Sequence, residues 1–269
     1  MCRVLKISSS GFYAWRARGP SEKQQRREQL TEQIRVIHAA SNAVYGSPKI
    51  FRALKKLGTH CNVKTVAKCM KTAGICSKTT KRHRVCTTDS NHSLPIAENI
   101  LNRDFTATKP GEKYVGDITY IKTNAGWLYL AVVIDLFSRM VVGWSMNITM
   151  KATLVIDALQ MAIDRFHPPR GLIMHTDRGS QYASHAHRAL LEQHGFVCSM
   201  SRKGNCWDNA VAESLFAALK KEKIYHEEYL TQEDARRAIF EYLEGFYNRH
   251  RSHASLDYKT PLEMHHSLH

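Results

Sequence analysis

Apolar positions recur along this chain with two different periods, and the change of period divides it. Up to about residue 75 the spacing is helical. Leu30, Ile34 and Ile37 predict a helix over residues 26–40. Ile50, Leu54 and Leu57 predict a second, with Ser47 as cap, Pro48 in its first turn and Gly58 closing it. Val63, Val66, Ala67 and Met70 form the inward face of a third, capped by Asn62 and ended at Gly74. Before them, MCRVLKI predicts part of a helix, SSSG a turn and FYAWRAR another short helix. From residue 113 the pattern changes. KYVGDITYI, WLYLAVVI and RMVVGW are dense in branched and aromatic residues and are separated by Asn124, Gly126 and Ser138, which predicts three strands in an antiparallel meander. A helix around Leu154–Ile163, a short strand at 171–174, a helix at 185–194, the strand FVCSM and a long helix at 207–222 follow. Three strands and then alternating helix and strand imply a mixed sheet covered by helices.

This divides the chain into a partial helical segment (1–25), a three-helix domain (26–84), a linker containing Pro95 and Pro110 (85–110), an α/β core (111–230) and a C-terminal helix with a basic tail (231–269). The unpartnered Val4, Leu5 and Ile7 suggest a chain that begins inside a larger functional polypeptide.

Charge sharpens the picture. Lys and Arg number 39 against 24 Asp and Glu, a formal net charge of +15, which favours a polyanionic partner. No acid lies between Glu32 and Asp89, while Lys49, Arg52, Lys64, Lys68, Arg82 and Arg84 do. A basic three-helix domain fits a helix-turn-helix that neutralises phosphates; the alternative is a plain bundle with a solvated basic surface. Seven scattered cysteines without a CxxC pair predict reduced thiols. His83 and Cys86 stand near Cys76, but a zinc site needs four ligands in defined pairs. No run of 18 uncharged apolar residues is present, so the expectation is a cytoplasmic protein without a membrane partner.

Three acids stand out. Asp117 lies inside the first strand of the meander, where an acid is costly unless paired, exposed or metal-bound. Asp177 follows the fourth strand in HTDRGSQY. Glu213 shares a helix face with Asn209, Ala217 and Lys220, away from the stripe Ala212, Leu215 and Leu219. Convergent carboxylates suit two magnesium-type ions. Singly, each acid has an ordinary alternative: strand-edge solvation, a turn cap and surface charge.

The strings YGSPKI, NVKTVAKCM, GDITYI, YLAVVIDLFSR, HTDRGSQY, SMSRKGNCWDNAVAESLFAALKKE and FYNRHRSHASLDYKTPLE span nearly the whole chain and resemble the catalytic subunit of a bacterial insertion sequence transposase. The group is the two-reading-frame, insertion sequence three family. The resemblance implies a ribonuclease-H-like integrase core, a five-stranded mixed sheet flanked by helices, preceded by an all-α helix-turn-helix domain. It assigns the catalytic acids to Asp117, Asp177 and Glu213, with 35 residues between the last two, and a phosphate-contacting lysine to Lys220. It makes Asp135 a strand-end residue rather than a ligand, while Asp208 reads as a helix N-cap or first-turn acid. Arg178, Gln181, Arg202, Lys203, Asn205 and Asn209 become candidates for lining a DNA channel, on the alternative that they are turn chemistry. Arg249 and Arg251 stand where the family usually has a double arginine, and Gly116 where many relatives have alanine or a small polar residue.

The activity implied is Mg2+- or Mn2+-dependent cleavage at element ends, with two ions per site, followed by attack of the freed 3′-hydroxyl on another phosphodiester. The partners implied are double-stranded DNA (terminal inverted repeats and target), at least a second copy of the chain on DNA, and an upstream-frame protein or a fusion with it. A DNA-binding regulator that is inactive without the upstream region is the runner-up. A nuclease-like scaffold and a ribonuclease H share the fold expectation.

Overall fold

A computed structural model describes residues 2, 4–78, 94–202 and 206–268, and the chain divides into two units, one ending at Ser77 and the other starting at Lys78. Lys203, Asn205, Arg82, Arg84, His83 and Cys86 lie outside the described residues.

In the first unit, α1 (Ser9–Ala17) is capped by Ser8, whose hydroxyl accepts from Gly11 N, and it buries no residue. The serines therefore open a helix rather than form the expected turn, and the described residues among 2–7 are not helical. Helix α2 (Glu22–Ala40) starts at a Ser21 cap, four residues earlier than expected. Helix α3 (Ser47–Lys56) is capped by Gly46, which makes no side-chain cap bond, so Ser47 is its first helical residue and not its cap. Gly58 leaves α3 at φ +77°, a backbone conformation favouring glycine. Helix α4 (Val63–Thr72) begins at Asn62, whose side chain accepts from Thr65 N at 2.8 Å. Leu30, Ile34, Tyr45, Ile50, Leu54, Val66, Cys69 and Met70 form the core. The inward faces are narrower than the sequence pattern suggests: Leu57, Val63 and Ala67 are exposed, and Cys69 takes an inward place instead.

The second unit is built on a five-stranded sheet in the order β3-β2-β1-β4-β5. Strands β1 (Lys113–Thr123), β2 (Gly126–Asp135) and β3 (Val141–Asn147) form the antiparallel meander. Strands β4 (Ile173–Thr176) and β5 (Val197–Met200) add in parallel on the other side of β1. The crossover helix α5 (Ala152–Phe166) buries Leu154, Val155, Ala158, Leu159, Ala162 and Ile163 on the sheet. It approaches so closely at Gly143 that a methyl group there would lie 2.1 Å from the Ala158 carbonyl oxygen. Helix α6 (His185–His194) links β4 to β5, and α7 (Ala210–Glu222) follows a 3-10 turn, Cys206–Asn209.

Two expected boundaries dissolve into this unit. Residues 94–106 are not a free linker: Ile100 N and Leu101 N donate to Ser199 Oγ at 3.0 and 3.1 Å, Met200 N donates to Glu98 O, and Leu101 is buried. At the other end, α8 (Gln232–Phe240) continues as a wider π-type turn, Glu241–Tyr247, before α9 (Pro261–His265). The Asn248 amide brackets Val141, accepting from its N–H and donating to its carbonyl, both at 3.0 Å. Glu244 accepts from Trp144 Nε1 at 2.9 Å and pairs with Arg165 at 2.7 Å.

Candidate active site

The parallel pairing of β1 with β4 sets the site. Val115 registers with His175, and two residues further along each segment stand Asp117 and Asp177. Equal counts from the registered pair put Asp117 within β1 and Asp177 one residue past the end of β4, at neighbouring positions in the sheet direction. Their charges interact. Burial first, and then the Asp177 carboxylate, push Asp117 well above the usual carboxylate range; a hydrogen bond from Ile118 N opposes the shift, Glu213 adds to it and Lys220 opposes it. The three acids and the lysine thus share one electrostatic neighbourhood.

Each arrives there for a local reason. Gly179 N donates to Asp177 Oδ1 at 2.9 Å, closing a tight loop after β4. A methyl group at 179 would stand 3.0 Å from that same oxygen and 3.0 Å from Gln181 Oε1, so it would displace these two side-chain ends. Ahead of the loop, the buried His175 imidazole lies between Ser199 Oγ (2.9 Å) and Ser201 Oγ (3.1 Å), tying β4 to β5; burial lowers its pKa to about 4 and keeps it neutral. Glu213 is exposed in the first turn of α7, while Ala212, Leu215, Phe216 and Leu219 anchor the helix. Two turns further along the same face, the half-buried Lys220 ammonium sits 4.6 Å from the centre of the Tyr120 ring.

Among the described residues, no three Asp, Glu, His or Cys side chains already enclose a space for an ion. Glu213 acts on Asp117 through its charge. The donor set is nonetheless that of a hard divalent cation, bound by a few carboxylates with substrate oxygens completing its shell. Repulsion between Asp117 and Asp177 is the demand such an ion answers. The residues fit a magnesium-type ion.

The other candidates divide by what their side chains already do. Arg178 Nε donates to Ser201 O, and Gln181 Nε2 to Met150 O at 3.0 Å, so both brace the Asp177 loop. Arg202 forks onto Asp208, Asn209 is buried with its Oδ1 unpartnered, and Arg249 is exposed. Arg251 is turned inward, 14% exposed, onto Glu222 at 2.7 Å, which removes it from the surface expected of a phosphate contact. In the first unit Arg52, Lys64 and Lys68 are exposed, and Lys49 lies 5.0 Å from the Tyr45 ring centre.

Asp208 is the first-turn acid of the 3-10 turn Cys206–Asn209, as one of the two sequence alternatives has it, and it is fully buried, taking bonds from Arg202 N and from Nε and Nη2 of Arg202, from Arg103 Nε at 2.8 Å and from Asn99 Nδ2 at 3.0 Å. Those bonds hold its carboxyl far below the usual range and fasten residues 99–103 to the turn that launches α7. Asp135 is likewise structural, accepting from Gly111 N and from the Ser138 N–H and hydroxyl.

Comparison with known proteins agrees with the two-unit architecture. An HTH-like domain matches residues 25–83, and integrase core domains match residues 107–206 and 194–261. Transposase InsF for insertion sequence IS3A of Escherichia coli (strain K12) is 44% identical over 256 residues, 94% of this chain and 88% of that protein. The insertion element IS600 uncharacterized 31 kDa protein of Shigella sonnei is 39% identical over 269 residues, all of this chain and 98% of the other. A simian T-cell lymphotropic virus intasome, solved with a PP2A regulatory subunit, shares the fold at TM-score 0.51 and 17% identity, over 87% of this chain and 74% of that one. Extended identity across the helical unit and the α/β unit together makes this chain a member of the IS3 family of insertion sequence transposases.

Proposed function

We propose that this transposase is a DDE polynucleotidyl transferase in which Asp117, Asp177 and Glu213 hold two divalent ions, Mg2+ or Mn2+. The observation that carries the reading is the equal count of Asp117 and Asp177 from the registered Val115–His175 pair, with Glu213 adding its charge to theirs. When bound, the ions supply Lewis acidity to the attacking and leaving oxygens of a phosphodiester. The chain's own groups do the rest. Gly179 N–H orients Asp177, and Asp117 and Asp177 interact through their charges. Glu213 closes from the exposed face of α7, and Lys220 brings an ammonium to the same neighbourhood for a DNA phosphate.

The substrate is double-stranded DNA: element ends are cut to expose a 3′-hydroxyl, which then attacks a second phosphodiester. Exposed Arg52, Lys64, Lys68 and Arg249 suit sequence-independent phosphate contacts, as does Lys49, while Arg178, Gln181 and Arg202 also brace their own loops and Asn209 is the further candidate beside α7. Joining two ends calls for at least two copies on DNA, with an upstream-frame protein or fusion as a further partner. No helix among the described residues is long and apolar enough to cross a membrane, and the reaction on chromosomal DNA belongs to the bacterial cytoplasm. Incubating labelled end DNA with Mg2+ or Mn2+ tests the reading against Asp177→Asn. Cleavage and joining by the wild type and neither by the variant is the expected result; equal activity in both removes Asp177 from the site.

A further inference from the structure

Glu213 reaches the site from a helix whose start is not fixed by a cap. Asn209, the N-cap of α7, makes no side-chain cap bond, and Glu213 is exposed in the first turn while the buried contacts fall on Ala212, Leu215, Phe216 and Leu219. Apolar burial holds a helix down without directional bonds, so it tolerates small slides and rotations. The directional bonds come one residue earlier, at Asp208. Its carboxylate takes the Arg202 backbone N–H at 2.9 Å and the Nε and Nη2 of the same arginine at 2.9 and 2.8 Å. Arg103 Nε joins at 2.8 Å and Asn99 Nδ2 at 3.0 Å. Arg202 in turn follows the residue that is tied to the Asp177 loop: Ser201 N donates to Thr176 O at 2.9 Å, and Arg178 Nε donates to Ser201 O. Bonds therefore run from the residues on either side of Asp177, through Ser201 and Arg202, to Asp208, which stands five positions before Glu213.

We propose that Asp208 is a positioning residue for the reaction: its clamp on Arg202 and Arg103 fixes where α7 starts relative to the Asp177 loop, and so where Glu213 stands relative to Asp117 and Asp177. This rests on the reading that the three acids share divalent ions. Asp208 is fully buried, so it acts through α7 and not on DNA or an ion. Stability alone does not account for it, because apolar residues of similar volume often serve a fold as well as a buried ion pair does. What the forked arginine adds is geometry, two parallel bonds that fix orientation. A reacting group misplaced by about 1 Å costs about 100-fold in rate.

The test compares the full chain with Asp208→Asn, Glu213→Gln, the double variant and Asp177→Asn. Urea midpoints give the folded fraction, anisotropy gives the affinity for labelled end DNA, single-turnover cleavage gives the rate, and calorimetry gives the Mn2+ affinity. Asp208→Asn should cleave about 10–100-fold more slowly per folded molecule, bind end DNA within about twofold of the wild type, and need about tenfold more Mn2+. The double variant should bind Mn2+ as Glu213→Gln alone does, since a clamp that works through Glu213 then has nothing left to position. A wild-type cleavage rate in Asp208→Asn, or losses of Mn2+ affinity that add in the double variant, overturns the proposal. If Asp208→Asn does not fold, Arg103→Met removes one half-exposed arm of the clamp and is held to the same two criteria. If Asp177→Asn or Glu213→Gln binds Mn2+ as the wild type does, the metal reading itself fails and the proposal falls with it.

Discussion

Asp117 and Asp177 stand an equal two residues beyond a registered pair on neighbouring parallel segments, and Asp177 is the largest charge contribution raising the Asp117 pKa. Two carboxylates held together without a cation repel, so the site costs stability in the ion-free chain. Asp177→Asn removes one charge and keeps an oxygen to accept from Gly179 N. The expected outcome is an ion-free melting temperature raised by a few degrees, about 1 kcal/mol for a unit of this size, and no further rise with Mn2+. Thermal unfolding with and without Mn2+ measures both.

Gly179 separates geometry from stability. Its amide holds Asp177 Oδ1, and a methyl there crowds that oxygen and Gln181 Oε1, both at side-chain ends rather than in backbone. Gly179→Ala should lower kcat for end cleavage by about tenfold or more, since small misplacements of reacting groups are costly. The urea midpoint should move little. Unchanged kcat would show that the loop does not need its tight form.

Gly143 is the opposite case. A methyl there meets the Ala158 carbonyl at 2.1 Å and Ala162 N at 2.9 Å, backbone atoms that move only with α5. Overpacking of this kind costs about 3 kcal/mol or more. Gly143→Ala should unfold at clearly lower urea concentration, and any folded fraction should cleave DNA at the wild-type rate per active site.

Much of this was legible because runs of branched and aromatic residues have a strong period. The strands of the meander and helix 185–194 fall within a few residues of where the pattern puts them. Helix faces near their ends were not, because Leu57 and Val63 satisfy the spacing while lying at the rim of a small core. What the pattern could not carry was pairing at long range. Asp208 meets Arg103 across 105 positions and Asn99 across 109, so neither its burial nor the docking of residues 94–106 leaves a periodic trace. The adjacency of Asp117 and Asp177 depends on a parallel register, which only the folded sheet fixes.

His187 gives a pH dependence with a definite sign. Burial lowers its pKa to about 4, while its Nδ1 is bonded to the Tyr182 carbonyl; the unfolded value is about 6.5. Between these values the unfolded chain binds a proton that the folded chain refuses, so stability is present above pH 6.5 and falls as the pH drops toward 4. Asp208, held low by its arginines, adds a loss of the same sign below about pH 4. His187→Asn keeps a donor for the carbonyl and cannot take up the proton. Urea unfolding at pH 7, 5.5 and 4.5 should show a shallower decline in this variant than in the wild type.

Arg249 and Arg251 are two positions apart and should fail in different ways. Arg251 is bound through Nε and Nη2 to Glu222, which also accepts from the Tyr242 hydroxyl at 2.7 Å, and both side chains of the ion pair are at most 14% exposed. Arg251→Ala leaves a nearly buried carboxylate unpaired, a loss of about 3–5 kcal/mol that would lower DNA binding only through unfolding. Arg249 is exposed on the same segment, and removing its charge costs the fold little. If it contacts a phosphate, Arg249→Ala lowers the slope of log K against log salt by about 1. Measuring urea midpoints together with salt-dependent DNA affinity for both variants checks the division. A reduced salt slope in a stably folded Arg251→Ala chain would return that arginine to the DNA surface.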